Sequence, residues 1–266
     1  MEEKLEGNLI IIGGAEDKTG DKKILKEVCS KLEKDRDILV IATIASEVPE
    51  ELGNEYYKIF TKLGIKNVKI LNIVDRKGAF DINSIKTIEN ASLIFFTGGD
   101  QLRITSLIGG TPLYSKIQEL YENGCTFVGT SAGASIMSDT MIITGPNDES
   151  PKKCTLKMAP GLGFIKGVII DQHFAQRGRI GRLLVGIAEN PQSLGIGIDE
   201  DTAIIVKDNG KFQVMGSGAV YIIDGSDITY SNVSEQYPDE ILSIFNVKVH
   251  VLKQGNSFNF TTKLPL

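Results

Sequence analysis

The chain has 266 residues, 41% of them hydrophobic and 24% charged, with a formal net charge of −5. That length and balance suffice to bury a core without disulfides or metals, and they argue against a disordered chain. The acidic balance, with no dense Lys/Arg run, argues against a nucleic-acid partner.

The first half alternates apolar runs with helix-like segments. Leu9–Ile12 reads as a buried strand ending in Gly13-Gly14, and from about Asp21 a helix places Ile24, Leu25, Val28, Cys29 and Leu32 on one face. Ile38–Ala42 is a second buried strand. Pro49 suits the first turn of a helix over 50–63, and Gly64 suits its stop. Val68–Ile73 and Leu93–Phe96 are further strands around a short helix at 82–88. Leu113–Tyr121 is a helix closed by Asn123-Gly124, and Thr126–Val128 is the next strand.

Continuous apolar strands separated by helices predict a doubly wound α/β fold with a mostly parallel sheet flanked by helices. In the second half, Val168–Ile170 and a helix near 180–188 are followed by the pieces 203–206, 212–215 and 220–223, which read as an antiparallel meander. Residues 247–252 and 257–260 read as one more hairpin around Gln254-Gly255-Asn256. No Pro/Ser-rich linker divides the halves, so residues 1–266 are expected to form one domain with an antiparallel C-terminal extension.

Three cysteines (Cys29, Cys125, Cys154) and two histidines (His173, His250) lack metal-ligand spacing, so neither a metal nor a cofactor is expected, and free thiols suit a reducing compartment. No apolar run approaches the ~20 residues of a membrane span, and the first residues have no signal-like apolar stretch. The expectation is a cytoplasmic protein with no membrane partner.

Gly129-Thr130-Ser131-Ala132-Gly133 fits the G-x-S-x-G pattern, with a buried strand before it and Ala134–Met137 continuing as a helix. Strand, sharp turn and helix are what a nucleophile elbow requires: small neighbours let a strained Ser131 project its hydroxyl, and the new helix aims N–H groups at a developing oxyanion. A serine hydroxyl needs a base. Of the two histidines, His173 follows the buried run Val168–Gln172, where α/β sheets place functional loops, whereas His250 sits in a strand with solvent-face alternation. For the orienting acid, Asp148, Glu149, Asp171 and the acidic run 199–201 all remain open on pattern alone. Arg177, Arg179 and Arg182 follow His173, the last two at i,i+3 spacing, and their forks suit a carboxylate-bearing substrate as well as a solvated basic face. Thr97-Gly98-Gly99-Asp100-Gln101 closes the Leu93 strand; it lacks both the P-loop ending and the dinucleotide fingerprint, and reads as an oxyanion or substrate loop. Backbone N–H groups of Ala132 and of Gly99 or Asp100 are the expected oxyanion donors.

Four pieces in order, Gly13–Lys18, Phe96–Gln101, Gly129–Ala134 and Asp171–Phe174, followed by the three arginines, resemble the cyanophycinase family of serine peptidases, related to the dipeptidase E family, over at least residues 8–206. The resemblance implies a class I glutamine amidotransferase-like fold and a Ser131–His173–Glu149 catalytic set. It implies as substrate cyanophycin, a polyaspartate with arginine on each β-carboxyl, cut to β-Asp-Arg dipeptides. Substrate contacts would come from Gln101, Asp171, Gln172, Arg177, Arg179 and Arg182, with Asp171 facing a substrate guanidinium. Relatives suggest a homodimer. An aspartyl peptidase for small peptides, and a silent binding protein on the same fold, are the rivals; amidotransferases of this architecture carry Cys, not Ser, at the elbow.

Overall fold

A computed structural model describes residues 9–147, 149–207, 210–234, 237 and 240–266. The chain runs through β1 (Leu9–Ile12), α1 (Lys23–Ser30), β2 (Ile38–Ala42), α2 (Pro49–Lys62), β3 (Asn67–Leu71), α3 (Ile82–Ile88), β4 (Leu93–Phe96), α4 (Gln101–Ile108), α5 (Pro112–Glu122), β5 (Thr126–Thr130) and α6 (Ala132–Ser135). A hairpin of β6 (Thr140–Thr144) and β7 (Lys157–Pro160) follows, then β8 (Val168–Gln172), α7 (Ile180–Glu189), β9 (Leu194–Ile198), β10 (Thr202–Lys207), β11 (Lys211–Gly216) and β12 (Val220–Asp224). The short pair β13 (Tyr230–Ser231) and β14 (Ile244–Phe245) precedes β15 (Lys248–Leu252), β16 (Ser257–Asn259) and β17 (Leu264–Pro265).

The large sheet has the order β17-β16-β11-β10-β1-β5-β4-β2-β3. From β1 to β3 it is parallel; from β1 outward through β10 the pairings are antiparallel. Its central strands β1 and β4 are buried along their whole length, as strands covered on both faces must be. One face packs on α1 and α2, with Ile24, Leu25, Val28 and Phe60 against Ile10, Leu39 and Phe95. The other meets Ile104, Ile108, Leu113 and Ile117 of α4 and α5. Asp100 starts α4 by accepting a hydrogen bond from the Leu102 N–H (2.8 Å). From sequence alone this segment reads only as a loop, because an N-cap aspartate after two glycines looks like a turn until its helix is seen.

The second half keeps the expected antiparallel pair of β10 and β11 but departs from the meander after it. Strands β8, β9, β12 and β15 form a separate sheet in the order β15-β12-β9-β8, with β8 and β9 parallel. β12 pairs with β9 and β15 rather than with β11. The expected terminal hairpin also divides: β15 joins the second sheet and β16 the first. Leu252 and Phe258 are thereby both buried in the core shared by the two sheets, alongside Ile196, Ile222 and Phe212. No helix among the described residues is long and apolar enough to cross a membrane.

Candidate active site

The carboxyl ends of β1, β4 and β5 meet those of β8 and β9, and the residues with chemistry lie there. Ser131, directly after β5, has φ 55° and ψ −114°, a conformation that costs a non-glycine residue about 1–3 kcal/mol and persists only where the surroundings enforce it. The flanking glycines enforce it by close approach. A Cβ at Gly129 would lie 2.0 Å from the Gly133 carbonyl oxygen, and one at Gly133 would lie 2.3 Å from that of Phe96. Helix α6, which follows, is only four residues long, shorter than the apolar run suggested.

The Ser131 Oγ lies 3.0 Å from His173 Nε2, and His173 Nδ1 lies 2.6 Å from Glu200 Oε1. With the proton assigned to Nδ1, Nε2 is free to accept the serine proton and the carboxylate receives the Nδ1–H. His173 has a positive φ of 48°, and its N–H donates to the Gly13 carbonyl (2.8 Å). Gly14 is pressed against the ring: a Cβ there would sit 2.4 Å from both Cε1 and Nε2. Burial lowers the His173 pKa below its usual 6.5, against the raising effect of the Glu200 hydrogen bond, while the nearby Arg177 and Arg179 charges add to the lowering. The imidazole is thus neutral at neutral pH, as a base must be.

The carboxylate at the imidazole is therefore Glu200 and not Glu149. Glu149 is exposed and pairs with Lys152 at 2.9 Å, on the loop before β7. The reason is topological. β8 and β9 are parallel with Gln172 opposite Ile198, so the chain leaving β9 carries Glu200 past His173. Asp148 lies outside the described residues.

The oxyanion donors divide similarly. Asp100 N–H is already taken by the Ala45 carbonyl (3.0 Å), so it is not a free donor. Among the described residues no acceptor takes the N–H of Ala132, Gly98 or Gly99. Gly98, which carries no sequence signal apart from its Gly-rich turn, faces the nucleophile: a Cβ there would lie 3.3 Å from Ser131 Cβ and 3.6 Å from Oγ.

A family model for peptidase family S51 matches residues 9–214. The chain belongs to that family. It is 38% identical over 267 aligned positions to a cyanophycinase of Geminocystis herdmanii (strain PCC 6308), covering 100% of this chain and 98% of the relative. It is 36% identical to a cyanophycinase of Synechococcus elongatus, covering 97% of this chain and 80% of the relative. Among solved structures, a peptidase from an acI-B1 actinobacterium has the same fold, with a TM-score of 0.66 over 96% of this chain and 97% of that one at 23% identity.

In this S51 peptidase the basic cluster after His173 is mostly turned inward. The Asp171 carboxylate is held by Arg182, through Nε (2.6 Å) and Nη2, and by Arg179 Nη1 at 3.4 Å. Arg179 Nη1 also donates to the Gln172 backbone oxygen (2.6 Å) and side-chain oxygen (3.0 Å), and its Nε to Asn147 (3.1 Å). Asp171 thus meets guanidinium groups of its own chain, which corrects the expectation that it awaits one from a substrate. Arg182 likewise has its fork occupied. Both arginines are buried, as a β8 carboxylate with no solvent requires. Arg177 is exposed and is in no described ion pair. Gln101 is buried, its Nε2 donating to the Ile142 (2.8 Å) and Ile143 (3.0 Å) carbonyls, which leaves only its side-chain oxygen for other partners.

Proposed function

We propose that this chain hydrolyses cyanophycin, cutting the aspartyl backbone from a chain end and releasing β-Asp-Arg dipeptides. The observation that carries the reading is the relay from Ser131 through His173 to Glu200, at 3.0 and 2.6 Å, in a chain alignable over its whole length with cyanophycinases. Ser131 Oγ attacks the backbone carbonyl of an aspartyl unit as His173 Nε2 accepts its proton, and Glu200 steadies the imidazolium. The free N–H groups of Ala132 and Gly99 supply the oxyanion site, each donor worth about 3–4 kcal/mol in the transition state. The imidazolium returns its proton to the leaving amine, and water, deprotonated by the same imidazole, hydrolyses the acyl-enzyme. Arg177, with its guanidinium in solvent, is the arginine placed to meet an α-carboxylate of the polymer's arginyl branches, while Arg179, Arg182, Asp171 and Gln172 brace the wall beneath it.

The same reading includes a cytoplasmic homodimer. Cys29, Cys125 and Cys154 are all unbridged, as suits a reducing compartment. Sedimentation of the purified protein tests the dimer. The substrate is tested by incubating the enzyme with insoluble cyanophycin and, in parallel, with Asp-X dipeptides. Release of β-Asp-Arg from the polymer is expected. Turnover confined to the dipeptides would replace the polymer reading with that of a small-peptide peptidase.

A further inference from the structure

The last residue of β1 and the loop leaving it bond to the chain at, or one residue from, each member of the relay. Ile12 O accepts from Ser131 N–H (3.1 Å), Gly13 O from His173 N–H (2.8 Å) and Gly14 O from the N–H of Asp201 (2.9 Å), next to Glu200. Asp17 N–H closes the loop on Asp201 Oδ1 (2.9 Å). In the middle stands Glu16, only 3% exposed. Its Oε2 accepts from the Thr130 hydroxyl at 2.6 Å, and its Oε1 accepts from the hydroxyl of Tyr56 on α2.

A buried carboxylate costs several kcal/mol unless its charge is paired or its oxygens are hydrogen-bonded. Among the described residues no lysine or arginine pairs with Glu16; the nearby Lys18 lies over the Tyr56 ring (4.3 Å) and pairs with Glu55 (2.9 Å). What compensates Glu16 is two hydroxyl donors. Tyr56 is equally buried, and burial together with the Glu16 charge drives its pKa well above the usual phenol value, so it stays a donor. A carboxylate is the one side chain of this length that only accepts, and so can take two O–H groups at once. A glutamine would turn an NH2 towards one of them. One of those donors, Thr130, is the residue on which the strained Ser131 is hinged.

We propose that Glu16 is a positioning residue for the nucleophile: its carboxylate anchors Thr130 and so fixes the Ser131 hydroxyl at hydrogen-bonding distance from His173. This rests on the reading of Ser131 and His173 given above. Glu16 is closed off by Thr130 and Tyr56, so its loss acts on the attack and not on substrate binding.

The test uses Glu16→Gln, the isosteric Thr130→Val, and Thr130→Ser, which keeps the hydroxyl. Glu16→Gln and Thr130→Val should each lower kcat per titratable active site about 10- to 100-fold with KM unchanged, because a nucleophile misplaced by a fraction of an ångström to 1 Å forfeits that much. Thr130→Ser should stay within about threefold, and the double variant should be no worse than the poorer single one, since both remove one interaction. The rate at which an organophosphonate labels Ser131, which needs no polymer, should fall in the same ratio as kcat. Near-ultraviolet circular dichroism and melting confirm that each variant is folded; should Glu16→Gln not fold, the two Thr130 variants decide. Folded variants with kcat per site within about twofold of wild type would overturn the proposal, as would a Thr130→Ser enzyme as slow as Thr130→Val. Failure of the wild type on cyanophycin, with phosphonate labelling intact, would defeat the substrate reading while leaving the labelling ratios to judge Glu16.

Discussion

Replacing Glu200 by glutamine separates the carboxylate found at His173 from the one suggested by resemblance. In the transition state the imidazole is cationic, and the 2.6 Å contact from Nδ1 becomes a charge-assisted hydrogen bond. Glutamine keeps the shape and one acceptor oxygen. The Glu200 side chain is 38% exposed and, among the described residues, His173 Nδ1 is the only partner of its carboxylate, so a glutamine amide there can rotate to present its oxygen to Nδ1–H. The wrong tautomer, which costs about 10⁴-fold where an amide is locked, is therefore not enforced. What is lost is the charge assistance, roughly 1.5–3 kcal/mol, or about 10- to 150-fold in kcat. Glu149→Gln is the control. Its surface pair with Lys152 is worth at most about 1 kcal/mol of stability and nothing to the reaction, so kcat should remain within about twofold. The assay is initial-rate release of β-Asp-Arg from cyanophycin by each variant at equal folded concentration. A Glu149→Gln enzyme as impaired as Glu200→Gln, or a fully active Glu200→Gln enzyme, would refute the assignment.

Three further outcomes follow from the geometry. Because His173 must be neutral to act and its pKa is held below 6.5, kcat/KM should lose activity on the acid side with a midpoint below that value; Glu200→Gln, which removes a raising influence, should move the midpoint lower still, and a midpoint above 6.5 would contradict the burial argument. Gly14→Ala drives a methyl to within 2.4 Å of the imidazole and should cut kcat about 100-fold through displacement of the ring, with a change below about twofold counting against that contact. Arg182→Ala leaves the buried Asp171 with only the 3.4 Å contact to Arg179 and should destabilise the fold by about 3–5 kcal/mol in urea unfolding; wild-type stability with a raised KM would instead return Arg182 to a substrate role.

Local chemistry was legible and partner choice was not. Ser131 stood out because an apolar strand runs into a turn of small residues, and His173 because the chain offers only one other histidine. Neither feature depends on which strands pair. The acid lies 27 residues beyond His173, among several carboxylates that pattern left open, and only the parallel register of β8 and β9 selects Glu200. The same blindness misjudged the tail: the segments now seen as β15 and β16 have the spacing of a hairpin, yet each finds a better-buried partner in a different sheet. For the arginines, i,i+3 spacing put 179 and 182 on one face, but only the structure shows that this face is turned towards Asp171. The Gly13–Lys18 segment was recognisable as a piece of the family pattern without an evident task; its hydrogen bonds at Thr130, at His173 and beside Glu200 come from strand order, which periodicity does not encode.

In the proposed reaction Ser131 performs the attack on cyanophycin. Its most direct test is the rate of β-Asp-Arg release by Ser131→Ala, with polymer binding and melting temperature followed alongside. The expected result is a folded protein that still binds the polymer and has lost on the order of 10⁴-fold or more in turnover. A folded Ser131→Ala protein that releases the dipeptide at a rate near wild type would contradict it.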